Sequence, residues 1–339
     1  MIRAAIVGGS GFVGGELLRI LLGHPNVEVA AVTSNRFRGK AVDSVHPNLR
    51  SLTDLSFCSL DDLDGYDVLF TATPHGVAMK LLPDLLGSAK HVVDLSADFR
   101  IRHLDLFERY YGPHAASHLV EEFVPGIPEL HRDELRRADR IAVPGCTAVA
   151  AILALHPVAS HELVSEEVDV DARSGSSGSG GAPTLANTHP LRSGALRIFA
   201  FGHRHEAEIE EQTGLRAHMT ATAVEAVRGV QVVCRATLVA DRTEKDIWRV
   251  YREHYDGEPF VRLVKQRRGV YRNPEPKILV GSNFCYVGFT VDEGARRLYA
   301  VAALDNLVKG AAGNAVQCLN VRMGWSERLG LDFPGLHPV

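Results

Sequence analysis

Arg3-Ala4-Ala5-Ile6-Val7-Gly8-Gly9-Ser10-Gly11-Phe12-Val13-Gly14 is the stretch that decides the fold. Residues 3–7 form an apolar run of strand length, glycines at 8, 11 and 14 follow at once, and Leu17, Leu18, Leu21 and Leu22 then recur at helical spacing from Glu16 to Leu22. Glycines so placed let the turn close, let a diphosphate approach the backbone, and let the helix pack on the strand. A second strand-like run, Val27 to Thr33, arrives at the distance a βαβ unit requires. A structural glycine turn would share the spacing but has no need of a strand before it and a helix after it. The reading is a Rossmann-like dinucleotide-binding domain with Gly8, Ser10, Gly11, Phe12, Val13 and Gly14 against the cofactor.

The end of the second strand selects the dinucleotide. An NAD site usually has Asp or Glu there for the ribose 2′-hydroxyl; this chain has Ser34-Asn35-Arg36, with Arg38 and Lys40 beyond. A carboxylate repels a 2′-phosphate, whereas a hydroxyl and a guanidinium bind it, so NADP is the expected cofactor.

The remaining bounds are broad. A chain of 339 residues with 45% hydrophobic content buries a sizeable core, in two domains. A net charge of −4 gives no reason to expect nucleic acid, and no apolar run approaches bilayer length. The chain begins in a strand rather than a signal peptide, so a soluble, cytoplasmic protein is expected. Cysteines at 58, 146, 234, 285 and 318 are odd in number, widely spaced and without a Cys-x-x-Cys pair, which supports neither a disulfide framework nor a structural zinc.

One cysteine stands out by position. In Ile141-Ala142-Val143-Pro144-Gly145-Cys146-Thr147 a strand stops at a Pro-Gly turn, and the apolar run Ala148 to Leu155 continues as a helix. A thiol at a helix's first turn meets unpaired N–H groups and a partial positive charge, which favour the thiolate nucleophile. An inert buried cysteine is the alternative. Upstream, Thr73-Pro74-His75-Gly76 and Ser96-Ala97-Asp98-Phe99-Arg100 follow short strands, where open α/β sheets put ligands. Arg100 is a candidate for a substrate carboxylate or phosphate, with an ion pair to Asp98 as the structural alternative. Phe107 to Glu134 reads as a long irregular connection.

Beyond the cysteine helix, Ser174 to Gly181 has linker composition. Lying between two strands, it reads instead as a backbone nest for an anionic leaving group, with Ser174 and Ser177 as substrate ligands. In Gly202-His203-Arg204-His205-Glu206-Ala207-Glu208, Glu208 lies three residues beyond His205, within reach on a helix, so His205 is preferred over His203 as the acid/base; Arg204 is a substrate candidate. His-x-His also suits a metal, but no third ligand accompanies it and none is expected. Arg262, Lys265, Arg267, Arg268 and Arg272 form a run without acidic residues, either a solvated face or a dock for an acidic partner. Thr243-x-x-Asp246 opens a helix with a capping box. Asp305-Asn306-Leu307-Val308-Lys309-Gly310 starts a helix from 311 to 323 that is long enough to return to the first domain.

Together, Gly-Gly-Ser-Gly-Phe-Val-Gly at 8–14, Ser-Ala-Asp-Phe-Arg at 96–100, Pro-Gly-Cys at 144–146, Gly-His-Arg-His at 202–205 and Asp-Asn-Leu-Val-Lys-Gly at 305–310 resemble the N-acetyl-γ-glutamyl-phosphate reductase family, relatives of aspartate-semialdehyde dehydrogenase. The resemblance covers the whole length. It implies Cys146 as nucleophile, His203 or His205 as acid/base, and Asn306 against the cofactor. It also implies a semialdehyde-dehydrogenase-like α/β fold. The NADP-binding domain would be residues 1–145 with 306–339, and an α+β catalytic and oligomerisation domain with a mixed or antiparallel sheet would be 146–305, in a homodimer or homotetramer. Val143 before Pro144, Thr147-Ala148 after Cys146, and Gly180-Gly181-Ala182-Pro183 depart from the arginine-pathway enzymes. The segments at 45–50, 260–266 and 330–338 resemble the branch that reduces α-aminoadipate 6-phosphate carried on a small acidic amino-group carrier protein. Carrier-linked glutamyl phosphate and N-acetylglutamyl phosphate stay open as substrates. A sugar epimerase or short-chain dehydrogenase should carry Tyr-x-x-x-Lys, which is absent, and a non-catalytic NADP-binding regulator would tolerate loss of Cys146.

Overall fold

A computed structural model describes residues 1–338, which form two compact units. The first comprises Met1–Pro144 and Ala311–Asp332. Its sheet holds β1 (Ile2–Val7), β2 (Val27–Val32), β3 (Tyr66–Thr71), β4 (Ala89–Asp94), β5 (Val124–Pro125) and β6 (Arg140–Ala142), all parallel, in the order β2-β1-β3-β4-β6-β5. The central strands are apolar on both faces because helices cover both: Ala4, Ala5, Ile6, Val68, Leu69 and Phe70 are fully buried. Helix α1 (Phe12–Leu21) buries Leu17, Leu18 and Leu21, and α2 (Ala78–Leu85) buries Leu82.

The stretch expected as an irregular connection holds α3 (Leu104–Tyr111), β5 and α4 (Pro128–Leu135). Helices of two turns leave little periodicity to read. Phe107 of α3 stacks on Tyr111 at 4.9 Å and meets His114 edge-on at 4.8 Å, while Arg132 of α4 donates to Glu327 at 2.8 Å. The C-terminal α9 (Gly313–Arg322) is buried, and its amides are satisfied inside the unit. Asn314 donates to the Gly126 carbonyl at 2.6 Å, and Asn320 meets His24 at 3.0 Å while donating to the Leu329 carbonyl at 2.9 Å.

The second unit runs from Gly145 to Gly310 and takes in the chain from Phe333 onward. Its strands are β7 (Val164–Ser174), β8 (Arg197–Phe201), β9 (Arg216–Ala223), β10 (Val230–Leu238), β11 (Val261–Leu263), β12 (Cys285–Asp292) and β13 (Arg297–Leu304), in the order β11-β12-β13-β10-β7-β9-β8. The sheet is mixed: β7–β9 and β11–β12 pair in parallel, the rest antiparallel. Strict alternation in β10 turns Val230, Val232, Cys234, Ala236 and Leu238 inward. Helices α5 (Cys146–Ala159), α7 (His205–Thr213) and α8 (Glu244–Tyr255) pack on this sheet, with a one-turn α6 (His189–Arg192) outside it. The Tyr251 and Tyr255 hydroxyls tie α8 to the Ala154 and Leu153 carbonyls of α5, both at 2.5 Å. The Thr243–Asp246 capping box is present at the start of α8.

The division differs from the expected one at the C-terminal side, for local reasons. Asp305 accepts from Arg228 at 3.1 Å and from the Gly281 amide at 2.7 Å, holding residues 305–310 in the second unit. Phe333 then covers Gly281 so closely that an added methyl would sit 2.9 Å from its ring. Among the described residues no helix is long and apolar enough to cross a membrane.

Candidate active site

In the first unit the glycine turn is a close-packed cradle. A methyl on Gly14 would lie 2.6 Å from the Gly8 carbonyl and from Gly9 Cα, so only glycine lets α1 start this near β1. Gly8 has φ +81°. Ser10 and Ser34 join hydroxyls at 2.8 Å, and Ser34 Oγ also accepts from the Phe37 amide at 3.3 Å. No carboxylate stands at the end of β2. Asn35 and Arg36 are exposed there, and Arg36 and Lys40 lie 5.1 and 5.8 Å from the Phe37 ring. Hydroxyls, cations and missing acids fit a 2′-phosphate. Phe12 and Val13 open α1 itself.

One contributor lies in the 45–50 segment, which the sequence singled out only for its branch resemblance. His46, from the excursion after β2, places Nε2 2.8 Å from the Gly9 carbonyl and braces the turn from outside. On the facing loops, Asp98 accepts from the Gly76 and Met79 amides at 2.7 and 2.9 Å, capping the start of α2. Arg100 donates to the Val143 and Leu95 carbonyls at 2.7 and 2.8 Å. Those bonds tie together the chain beyond β4 and β6 and fix where the Arg100 guanidinium stands.

In the second unit Cys146 is the first residue of α5, with Gly145 as N-cap. Side chains of α7 hold the residues on either side of it, Gly145 and Thr147, and Gly310 packs against its Cβ. Glu208 Oε2 accepts from the Gly145 amide at 2.7 Å, and its Oε1 lies 3.7 Å from His205 Nε2. The His205 imidazole rests against Gly145, where a methyl would overlap the ring, and Nδ1 hydrogen-bonds the Thr147 hydroxyl. His205, Glu208 and Thr147 are all buried. His203 meets His205 edge-to-face at 4.4 Å, and its Nδ1 accepts from the His205 amide at 3.3 Å. Burial, helped by the neighbouring Arg204 charge, pushes His203 down to about 4, so it is neutral at pH 7. Arg204 itself is exposed. Sequence spacing brought Glu208 to His205; the bonds to Gly145 and Thr147 span 63 and 58 residues and were out of its reach.

The serine-glycine loop is not an open nest. The Gly175, Ser176 and Ser177 amides donate to the Gly229, Ala226 and Val227 carbonyls, each at 2.9 Å, so these N–H groups are spent on the neighbouring turn. Ser177 Oγ accepts from Asn306 Nδ2 at 2.9 Å, Asn306 Oδ1 takes the Gly229 amide at 2.7 Å, and Ser174 Oγ turns to the Gly175 carbonyl at 3.5 Å. Asn306 and Ser177 thus form one buried pair, joining a residue read as cofactor-facing to one read as substrate-facing. All five cysteines are free thiols, and among the described residues no cluster of His, Cys, Asp or Glu could hold a metal.

Comparison with known proteins shows the family and the fold. Residues 3–138 match the semialdehyde dehydrogenase NAD binding domain, and residues 146–306 match the semialdehyde dehydrogenase dimerisation domain. The chain is 44% identical over 340 residues to the [LysW]-L-2-aminoadipate 6-phosphate reductase of Deinococcus radiodurans, covering 99% of this chain and 98% of that one. It is 48% identical, over the full length of both, to a Pyrococcus horikoshii protein provisionally named [LysW]-L-2-aminoadipate/[LysW]-L-glutamate phosphate reductase. The fold is similar to aspartate semialdehyde dehydrogenase II from Vibrio cholerae, with TM-score 0.72 at 17% identity over 96% of this chain and 99% of that one. A two-domain match in chain order, joined to full-length relatives of this identity, places the chain in the semialdehyde dehydrogenase family, beside the [LysW]-L-2-aminoadipate 6-phosphate reductases.

Proposed function

We propose that this protein reduces a carrier-linked acyl phosphate, α-aminoadipyl 6-phosphate or its glutamyl analogue, to the semialdehyde with release of phosphate, in lysine-type biosynthesis. The observation that carries the chemistry is Cys146 at the first turn of α5, between Gly145 and Thr147, which a buried carboxylate and imidazole hold. The names of the full-length relatives support the carrier-linked substrate.

The helix start favours the Cys146 thiolate. Its sulfur attacks the acyl carbonyl, the carbon–oxygen bond to phosphate breaks, phosphate departs, and a thioester remains on Cys146. Residues 8–14, Ser34, Asn35 and Arg36 would hold NADPH, with Asn306 as a further candidate; when bound, it supplies the hydride that reduces the thioester. His205 takes the thiol proton at the start and returns one as the carbon–sulfur bond breaks and the aldehyde leaves. Thr147 and Glu208 fix that ring, and His203 keeps the turn beneath it in place. Arg204, exposed at the start of α7, is proposed to meet the anionic end of the substrate, with Ser174 and Ser177 shaping the pocket behind it.

The run Arg262, Lys265, Arg267, Arg268 and Arg272 is exposed and would attract an acidic carrier from a distance. Self-association as a homodimer or homotetramer is proposed for the second unit, whose matching description is a dimerisation domain.

The test is the reverse reaction: NADP reduction with phosphate and either carrier-linked aminoadipate semialdehyde or free N-acetylglutamate semialdehyde, with Cys146→Ala as control. Turnover of the carrier-linked aldehyde alone, abolished in the variant, is expected. Preference for the free N-acetylated aldehyde would return the enzyme to arginine synthesis. Cofactor binding without turnover of either, unchanged by Cys146→Ala, would leave a regulator.

A further inference from the structure

We infer that the β8 edge of the second unit, with the segment leading into it, seats an acidic protein partner that presents the acyl group to Cys146. The inference rests on the reading above that the substrate is carrier-linked. Leu185, Leu196 and Phe201 are 78%, 78% and 77% exposed, and Ile198 and Phe199 stand half in solvent beside them. An apolar surface of this kind on an edge strand calls for a partner. Its charge says which kind: from Ala172 to His205 the chain has no aspartate or glutamate, and Arg197, Arg204 and His189 are exposed. The segment is also anchored, since the buried Arg192 donates to the Val224 carbonyl at 2.6 Å and to the Ser174 carbonyl at 3.3 Å.

The surface leads to the chemistry. Strand β8 runs straight into Gly202 and His203; the Phe199 ring lies 6.0 Å from His203, His203 lies 4.4 Å from His205, and His205 rests on Gly145. A partner seated on β8 is therefore one short relay from the nucleophile's helix. The run at 262–272 is not. It starts on β11, the opposite edge of the seven-stranded sheet, six strand spacings or roughly 29 Å away. It then returns over the sheet face without helices, where Pro274 lies on Gly288 and accepts from Gln231 at 2.7 Å. A second copy is the competing occupant of a face in the unit matched to a dimerisation domain, and the basic, acid-free segment from Ala172 to His205 favours an acidic protein over it.

The experiment measures KM and kcat for the carrier-linked semialdehyde in the reverse direction for wild type, Leu196→Asp, Arg197→Glu and Arg268→Glu. The alkylation rate of Cys146 by iodoacetamide and the mass by light scattering are followed in parallel. A rise in KM of about tenfold or more for the two β8-edge variants is expected, with kcat, alkylation rate and mass unchanged. An unchanged KM, or one raised only by Arg268→Glu, overturns the seat. A fall in oligomer mass in either edge variant would make this face a contact between copies instead and also overturns it. Wild type inert on the carrier-linked aldehyde yet active on a free N-acylated one takes down the substrate reading, and this inference with it.

Discussion

Helices α1 and α5 both begin at a glycine directly after a strand, yet the two starts are built in opposite ways. At α1 the parts are neighbours in sequence: Gly14 packs on Gly8 and Gly9, and the Gly11 amide donates to the Gly8 carbonyl at 3.3 Å. At α5 the parts are distant: Glu208 holds the Gly145 amide and His205 holds Thr147. A turn that receives a ligand needs bare backbone, which glycine spacing supplies locally. A turn that aims a nucleophile needs side chains fixed from elsewhere in the fold.

That contrast breaks most visibly at Gly145. Gly145→Ala puts a methyl into the His205 ring and should lower kcat about 100-fold by misplacing the imidazole, with the KM for NADPH within about twofold of wild type. Steady-state kinetics with both substrates varied decide it. A normal kcat would mean that the ring's seat on Gly145 is incidental.

Gly14→Ala is the matching change at the other helix, and its effect should be the converse. The methyl meets backbone on two sides, so the first unit loses about 1–3 kcal/mol and the KM for NADPH rises, while kcat at saturating cofactor is kept. Denaturant titration and cofactor-dependent kinetics separate the two losses. Ser34→Asp is gentler. It breaks the hydroxyl pair with Ser10 and sets a carboxylate toward the 2′-phosphate, so the KM for NADPH should rise about tenfold while that for NADH changes little. Equal effects on both cofactors would remove Ser34 from 2′-phosphate recognition.

The same contrast explains what could be read in advance. The βαβ start, the strand into the cysteine helix, the β10 alternation and the Thr243 capping box are periodic or short-range patterns, and all are legible. Helices α3 and α4 are too short to show a period; ring contacts of Phe107 hold the first, and the bond from Arg132 to Glu327, 195 residues away, holds the second. The serine-glycine loop misled because composition does not say where N–H groups point, and the turn at 226–229 takes them. The carbonyls that seat Arg100 were equally out of reach, because Val143 lies 43 residues away at the end of a neighbouring strand. His46 lies in a segment that resemblance marked, but its task could not be read there, because its partner is a carbonyl 37 residues earlier.

The smallest expected effect concerns acid, and it sets the two units against each other. His203, in the second, is held by burial near 4, below its ordinary value of 6.5. Between those values the unfolded chain binds the proton that the folded chain refuses, so this group takes stability away as pH falls from 6.5 towards 4. Asp94, in the first, is pushed up to about 6 by complete burial, against hydrogen bonds from Thr71 and Ser96 that pull it down. A raised carboxylate works in the other direction: its contribution is full below 3.8 and is lost as pH rises through about 6. His203→Gln should therefore lose less thermal stability than wild type between pH 6.5 and 4.5, with little difference at pH 8, as followed by calorimetry across that range. Identical pH profiles would mean that His203 reaches solvent and protonates freely, and a histidine that protonates freely at the turn under His205 would be a rival for the proton transfer itself.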